Sequence, residues 1–433
     1  MARFNSFKFL LLTYLGLMTN TVSGRTLEEL LQQAMQTYPT ILAKQAAQQA
    51  AQTELTAAKL RFLPSPSIST QRNQITYSGQ EAVRQPSTSV VIHQPLFLDG
   101  GVVAGYNKAD AKLSASDYAI LESREEVSKR LINVYGEWLK AYLKIEALEE
   151  TVRLHERFVE MISRRSEAGV ASGADRDLGV SRLMLAKSDL DAQRLQERTA
   201  LTSLGELIGE PVRRSDLNSS IAKPLPLPHR QDGMTQATLI SPMIHRLNFE
   251  ATAAEEEARE VRAQALPQVA FQAQRQIGNA VIPGSSSYNM YGVVLNYIPG
   301  GGFSTIATTS AAYKRAEASR IQVEAAKREL SDRLNADYNE YEFAGRRKEM
   351  MQNSAKLTSD IAASYDRQYL VGRKSWLDLM NSVREQTQNK MQLADIDASL
   401  LVTSRKLFVY IEGTHLFDTV DRSSTVPVSK KNK

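Results

Sequence analysis

The chain has 433 residues and a formal net charge of +5, with 42% hydrophobic and 23% charged residues, which excludes a protein made of many membrane-spanning helices. Its lysines and arginines form no basic block, which argues against nucleic acid as a partner. It contains no cysteine, which excludes disulfides, thiolate metal sites and a cysteine nucleophile.

The first 24 residues have the pattern of an export signal. Arg3 and Lys8 form a basic start, residues 9–18 are apolar, and residues 22–24 are small enough for cleavage. The apolar stretch is too short to anchor the chain across a bilayer. We therefore predict a signal peptide over residues 1–24 and a mature chain that begins near Arg25, outside the cytoplasm.

The mature chain opens with a predicted helix over residues 26–63. This segment is rich in Ala, Gln, Leu and Glu, which are good helix formers, and Thr26 is a suitable N-cap. Pro64 and Pro66 end the helix, because the residue before a proline disfavours helical geometry.

Two β-hairpins are predicted, one at 67–97 and one at 268–298. Apolar and polar residues alternate more regularly in the second hairpin. Each of its strands has an apolar face, and the last strand has aromatic residues at both ends. Such strips are typical of lipid-facing positions in outer-membrane strands. The first hairpin alternates poorly, so the pattern also allows half-buried hairpins on a soluble core. The residues of the two apolar faces are Val269, Phe271 and Ala273, and Tyr291, Val293, Leu295 and Tyr297.

A very long helix is predicted over residues 102–166. Apolar residues keep 4-3 spacing from Val127 to Ile162, and no proline interrupts the segment. At 1.5 Å per residue the helix would be roughly 100 Å long, which is typical of a coiled coil. A second helix, predicted over 174–208, runs back along the first and is about half as long. Two half-length helices stacked end to end would therefore flank one full-length helix.

The two halves of the chain repeat at an offset of 203 residues, as from Pro39 to Pro242. The same offset relates the Gly-x-x-Ser-x-x-Asp segments 169–175 and 372–378. We predict a first repeat over 25–211 and a second over 234–413. A proline-rich extended connector at 212–233 joins them, and a disordered tail follows at 414–433.

Four strands per chain cannot close a barrel by themselves. An open sheet edge cannot face lipid, because unpaired backbone groups there cost several kcal/mol each. If the hairpins lie in a membrane, neighbouring chains must complete the wall, and three chains would supply twelve strands. The long helices would then continue the barrel as a tube.

No group of residues in the sequence indicates an enzyme or a cofactor site. The five histidines are far apart and lack metal-ligand spacing. Gly300-Gly301-Gly302 lacks the Lys-Ser/Thr of a phosphate loop. Trp138 and Tyr341 hold equivalent heptad positions, which favours a role in packing. We predict a protein without catalytic activity, metal or cofactor.

This organisation resembles the TolC-type outer-membrane efflux and secretion channel family over nearly all of the mature chain. The resemblance is carried by the Leu63-Pro64-Ser65 stop, the junction at 94–101, and the two turns at 169–175 and 372–378. It implies an α+β membrane protein: a homotrimer with a shared twelve-stranded barrel in outer-membrane lipid and a helical coiled-coil tunnel in the periplasm. It also implies docking to a periplasmic adaptor (membrane fusion protein) and to an inner-membrane ABC transporter or proton-driven pump.

Two departures bear on the function. The second junction between strand and helix, 297–302, lacks the Leu-Phe-Asp of the first. Asn381 stands where relatives can carry an aspartate. The ring of acidic residues that narrows the tunnel in the family would therefore contain fewer carboxylates here. The sequence resembles the type I secretion branch, which exports proteins such as large adhesins, more than the multidrug efflux branch. An efflux component for small toxic compounds and a structural periplasmic coiled-coil or adaptor protein remain alternatives.

The two matching turns form the candidate site. The glycines suit the left-handed end of a helix, and each serine suits the N-cap of the next helix, with the aspartate completing a capping box. This explanation is structural and requires no function. The turn residues are Gly169, Ser172 and Asp175, and Gly372, Ser375 and Asp378.

The resemblance adds a functional interpretation of these turns. By position, Tyr369, Lys374 and Asp378 match hydrogen-bonding and acidic residues that close the tunnel, and Asp175 matches a partner in the first turn. A threefold ring of Asp378 carboxylates would attract cations. We expect channels with Asp378→Ala or Tyr369→Phe to pass more current in planar bilayers than wild-type channels.

Overall fold

The computed structural model describes residues 24–75, 83–96, 100–218, 225, 227–278, 287–297 and 304–414. Residues 1–23 of the predicted signal peptide, the hairpin loops around Gly79 and Pro283, and residues 415–433 of the predicted tail lie outside this part. The described chain forms long helices and one four-stranded sheet.

The helices repeat at the offset seen in the sequence. Those of the first half are α1 (Leu27–Thr37), α2 (Pro39–Leu60), α3 (Gly101–Glu167) and α4 (Gly173–Ile208). Those of the second half are α5 (Arg230–Ile240), α6 (Pro242–Ala263), α7 (Ser304–Leu370) and α8 (Trp376–Glu412). Each helix of the second half begins 203 residues after its counterpart. None of the described helices is both long and apolar enough to cross a membrane.

The opening segment is two helices, so the prediction of one continuous helix is wrong. Tyr38 has extended backbone angles, and Pro39 occupies the first position of α2. At the first position of a helix, a proline costs no helical hydrogen bond. In the interior of one long helix, it would remove a backbone hydrogen bond and clash with the preceding turn. Thr26 is the N-cap of α1 as predicted, and it forms a capping box with Glu29.

The predicted connector at 212–233 is less extended than expected. It contains a short 3-10 turn at Arg214–Asp216, and α5 already begins at Arg230. Leu217 forms a parallel bridge with Arg25, which ties the connector to the residues just before α1.

The long helix α3 contacts helices of both halves of the chain. It has 67 residues and is about 100 Å long. Near its start Tyr118 stacks on His245 of α6 with ring centroids 4.7 Å apart. Nearer its end Glu150 accepts a hydrogen bond from Lys390 of α8 at 2.6 Å. Helices α2 and α4 also pack on α3, so shorter helices flank the long one as predicted, although the predicted half-length opening helix is divided into α1 and α2.

The largest core lies midway along the helices, where α1 covers α3 and the end of α4. Trp138 is fully buried there, packed with Leu131 and Leu204. The equivalent core of the second half joins α5, α6, α7 and α8 around Leu334 and Leu407, with Tyr341 partly buried against it. The predicted packing roles of Trp138 and Tyr341 are therefore confirmed.

The sheet has strands β1 (Ser65–Ile75), β2 (Val83–Pro95), β3 (Gln268–Ile277) and β4 (Ser287–Asn296). All neighbours are antiparallel, in the order β1-β2-β3-β4. β1 begins two residues earlier than predicted, because Ser65 already pairs with His93 and Pro66 is tolerated in an edge strand. β3 begins at Gln268, the first residue of the second predicted hairpin.

Gly136 allows the close approach of α3 and α8. A Cβ atom at this position would lie 2.1 Å from Cγ2 of Val402. Because the branched valine has little rotamer freedom in a helix, we expect Gly136→Ala to lower the free energy of unfolding by about 1–3 kcal/mol. Thermal unfolding of the purified protein measures this change.

Gly345→Ala is the matched control within α7. Nothing lies within 4 Å of a Cβ atom at Gly345, so this substitution is expected to stabilise its helix by roughly 0.5–1 kcal/mol. If both variants melt at the wild-type temperature, the close contact at Gly136 is not important for stability.

Candidate functional site

The first turn joins α3 to α4 and ends α3 on a left-handed glycine. Gly169 has φ of 71°, and the N–H of Val170 donates to the carbonyl of Arg165 at 2.8 Å. The N–H of Asp175 donates to Oγ of Ser172 at 3.1 Å, and the Ser172 hydroxyl donates to the Asp175 carboxylate at 2.8 Å. The sequence segment 169–175 is thus a helix stop followed by an N-cap.

The second turn joins α7 to α8 and has the fuller cap. Gly372 has φ of 75°. The N–H of Asp378 donates to Oγ of Ser375 at 3.1 Å, and the N–H of Ser375 donates back to the Asp378 carboxylate at 3.3 Å. The hydrogen bonds from Ser375, followed by the charge of Lys374, lower the pKa of Asp378 below its ordinary value. The exposed Asp378 therefore keeps its negative charge into acidic solution.

Three aromatic rings pack the two turns together. Trp376 lies between Tyr369 and Phe158, with ring centroids 5.4 Å and 6.2 Å away, respectively. The indole also covers Gly179 of α4, where a Cβ atom would lie 3.1 Å from it. Trp376 is 5% exposed, so the first residue of α8 is anchored against both α3 and α4.

Three cationic side chains add links at the same end. Arg157 of α3 pairs with Asp366 of α7 at 2.6 Å. The Arg165 guanidinium lies 5.0 Å from the ring centre of Tyr369, which again joins α3 to α7. Lys374 Nζ lies 4.3 Å from the ring centre of Tyr365 within the second turn. We call these three contacts, together with the Trp376 packing, the tip network.

The structure brings together only some of the predicted site residues. Tyr369, Lys374 and Asp378 belong to one turn, and Lys374 is close enough to influence the Asp378 carboxylate. Asp175 lies in the other turn, where its contacts among the described residues are with Ser172. Tyr369 takes part through its ring, and its hydroxyl makes no hydrogen bond in the described chain.

The sequence interpretation missed Trp376, Phe158 and the Arg157–Asp366 pair. Trp376 had a recognisable signal, because it is one of two tryptophans in the chain and follows the N-cap where the first repeat has Gly173. The ion pair had none, because its members are 209 residues apart on ordinary charged helix faces.

The sheet presents a second candidate surface. On one face Ile68, Tyr291, Val293 and Leu295 are 65–79% exposed. The other face carries amides and hydroxyls, with Gln274 Nε2 donating to Ser89 Oγ at 3.0 Å. Within the described residues, β1 and β4 each lack a strand partner on their outer side. An exposed apolar face of this kind is typical of a surface that binds a membrane or another protein.

Comparison with known proteins agrees with this geometry. Residues 30–210 match the family model described as "Outer membrane efflux protein". None of the curated protein sequences matches the chain significantly.

Several solved structures share the fold. The outer-membrane channel OprN has 16% sequence identity and a TM-score of 0.79, over 89% of this chain and 90% of that one. The outer membrane protein VceC from Vibrio cholerae has 15% identity and a TM-score of 0.76, over 89% and 96%. The CmeC outer membrane channel of Campylobacter jejuni has 13% identity and a TM-score of 0.75, over 90% and 86%. At these identities the similarity is one of fold.

Proposed function

We propose that the chain is a TolC-like outer membrane efflux protein that forms the exit duct of a tripartite export system, a function that the family match of residues 30–210 and the shared fold support. It lies in the outer membrane with its helices in the periplasm, and it is a channel protein, not an enzyme. In this proposal three chains share one barrel and one helical tunnel.

The open sheet carries the proposal. In the part of the chain that the structure describes, one chain contributes four strands with two unpaired outer edges and a face of exposed apolar side chains. Unpaired backbone groups are too costly in lipid, so neighbouring chains must complete the wall. Three chains would supply twelve strands, within the range of known barrels. The amide- and hydroxyl-bearing face would then line the lumen.

An exposed apolar stripe on α7 supports contact between subunits. Phe343, Met350 and Leu357 are seven residues apart and 50%, 62% and 62% exposed, respectively. This is the spacing at which one face of a coiled coil repeats. In a single chain the stripe faces water, whereas a neighbouring subunit's helices would cover it.

Met350→Glu tests the assembly. A charge buried among apolar side chains costs several kcal/mol, so we expect most of the protein to lose its trimer band on unboiled gels and its channel activity in planar bilayers. Gln352→Glu is the control, because it adds the same charge to an exposed polar position on another face of α7. Intact trimers in Met350→Glu would contradict the proposed subunit contact.

The periplasmic end of the tunnel is the proposed aperture. Tyr369, Lys374 and Asp378 would narrow it from the second turn, with Asp175 in the first turn as a further acidic group. The capped and packed turns support this role, because they hold the tips of both helical hairpins rigidly. The predicted partners are a periplasmic adaptor and an inner-membrane ABC transporter or proton-driven pump.

For the cargo, we propose a secreted protein such as a large adhesin, following the sequence resemblance to the type I secretion branch. Small toxic compounds are the second candidate, which the efflux family match favours. Deletion of the gene discriminates between them. Loss of a large surface protein with unchanged sensitivity to toxic compounds supports secretion, whereas the reverse result supports efflux.

A further inference from the structure

Arg72 and Arg275, whose side chains both lie within the described part of the sheet, share its apolar face. Directly opposed residues of antiparallel strands project to the same side, and the register places Ile68, Val90, Arg275 and Asn289 in one row. Arg72 lies four residues beyond Ile68 on β1, so the two-residue alternation places it on this side as well. The polar face of Gln274 and Ser89 is the opposite one.

Both arginines lie near the ends of strands that point away from the helices. β1 ends at Ile75, three residues after Arg72, and β3 ends at Ile277, two residues after Arg275. The other ends of these strands follow α2 and α6 directly. Since the helices are periplasmic, the arginines lie toward the outer leaflet of the membrane.

Neither arginine has an anionic partner within the described residues. The four strands contain no aspartate or glutamate. Arg275 donates to the neutral Oδ1 of Asn289 at 2.9 Å, and Arg72 is exposed. A cation on the lipid-facing side of a barrel is strongly unfavourable at the bilayer midplane and tolerated only near the headgroups. Positive charge there is complementary to anionic headgroups.

We propose that Arg72 and Arg275 bind the phosphate groups of lipid A, the phosphorylated glycolipid of the outer leaflet. A guanidinium presents a planar fork of N–H donors that matches two phosphate oxygens. The apolar side chains below the arginines, such as Tyr291 and Val293, would contact the acyl chains. This assignment rests on the proposed barrel, which makes the apolar face the lipid-facing one.

Binding of purified lipid A to the full-length trimer in non-ionic detergent tests the assignment. We expect Arg72→Gln/Arg275→Gln to bind bisphosphorylated lipid A at least about tenfold more weakly than wild type, because two charge-assisted contacts are lost. The corresponding Arg→Lys double variant keeps the charge and is expected to bind with intermediate affinity. Lipid A stripped of its phosphates should bind wild type as weakly as the Gln variant binds intact lipid A.

Arg315→Gln/Arg328→Gln is the matched control, because it removes the same charge from exposed positions of α7. Its affinity should equal that of wild type. Inorganic phosphate should not displace lipid A, and displacement would indicate a site for a free anion and overturn the assignment.

Two negative results have different meanings. Trimers of normal conductance whose affinity for lipid A is unchanged by the Gln substitutions would overturn the arginine assignment alone. Wild-type protein that forms neither trimers nor bilayer channels would overturn the proposed function and this assignment with it.

Discussion

Trp376→Ala is expected to raise the conductance of the channel in planar bilayers. The indole packs against Phe158, Tyr369 and Gly179, so it holds the start of α8 against α3 and α4. Truncating a buried tryptophan costs about 3–5 kcal/mol, which is a hundredfold or more in an equilibrium between packed and loosened tips. Single-channel recording measures the change as larger or more frequent open levels.

Leu377→Ala is the control for this experiment. Leu377 is the next residue of α8 and is 54% exposed, so its truncation leaves the tip network intact. Its conductance should match wild type. A Trp376→Ala trimer that is intact on unboiled gels and conducts as wild type would show that the tip network does not restrict the aperture.

The structure changes the expectation for Tyr369→Phe. The ring of Tyr369 contacts Trp376 and Arg165, and the variant keeps that ring. We therefore expect a smaller increase in current from Tyr369→Phe than from Tyr369→Ala. A large increase in Tyr369→Phe would instead indicate that the hydroxyl binds a neighbouring subunit.

In the proposed trimeric aperture, Asp378→Asn is expected to abolish most of the cation selectivity. Three carboxylates in a narrow aperture attract cations, whereas three amides do not. The measurement is the reversal potential under a KCl gradient. The same substitution keeps the size of the side chain, so single-channel conductance at high salt should change little. An unchanged reversal potential would remove Asp378 from the permeation path.

The pH dependence of this selectivity follows from the capping box. Because hydrogen bonds from Ser375 lower the pKa of Asp378, the carboxylate stays charged as pH falls through its ordinary value of 3.8. The cap accordingly stabilises the turn above that value and is lost as pH falls through the lowered pKa. Ser375→Ala removes the hydroxyl, so its cation selectivity should disappear at a higher pH than in wild type. Ser375→Thr keeps the hydroxyl, so its pH profile of selectivity should match that of wild type.

Local patterns in the sequence were sufficient for the repeated architecture. The 4-3 spacing from Val127 to Ile162 predicted α3 to within one residue at each end, and the offset of 203 residues carried over to every helix start. The turn glycines and serines likewise adopt the predicted caps, but the predicted capping box is complete only at Asp378 and not at Asp175. These features depend on residues a few positions apart, whose periodicity and backbone preferences are properties of the chain itself.

Contacts between distant parts of the chain required the tertiary structure. Pro39 breaks the opening helix locally, but the packing of α1 across α3 and α4 depends on the tertiary structure. Arg157 meets Asp366 and Trp376 meets Phe158 only because α3 and α7 end, and α8 begins, at the same level. The shared face of Arg72 and Arg275 likewise depends on strand register. The pairing of segments some two hundred residues apart decides these contacts, and periodicity within one segment carries no information about it.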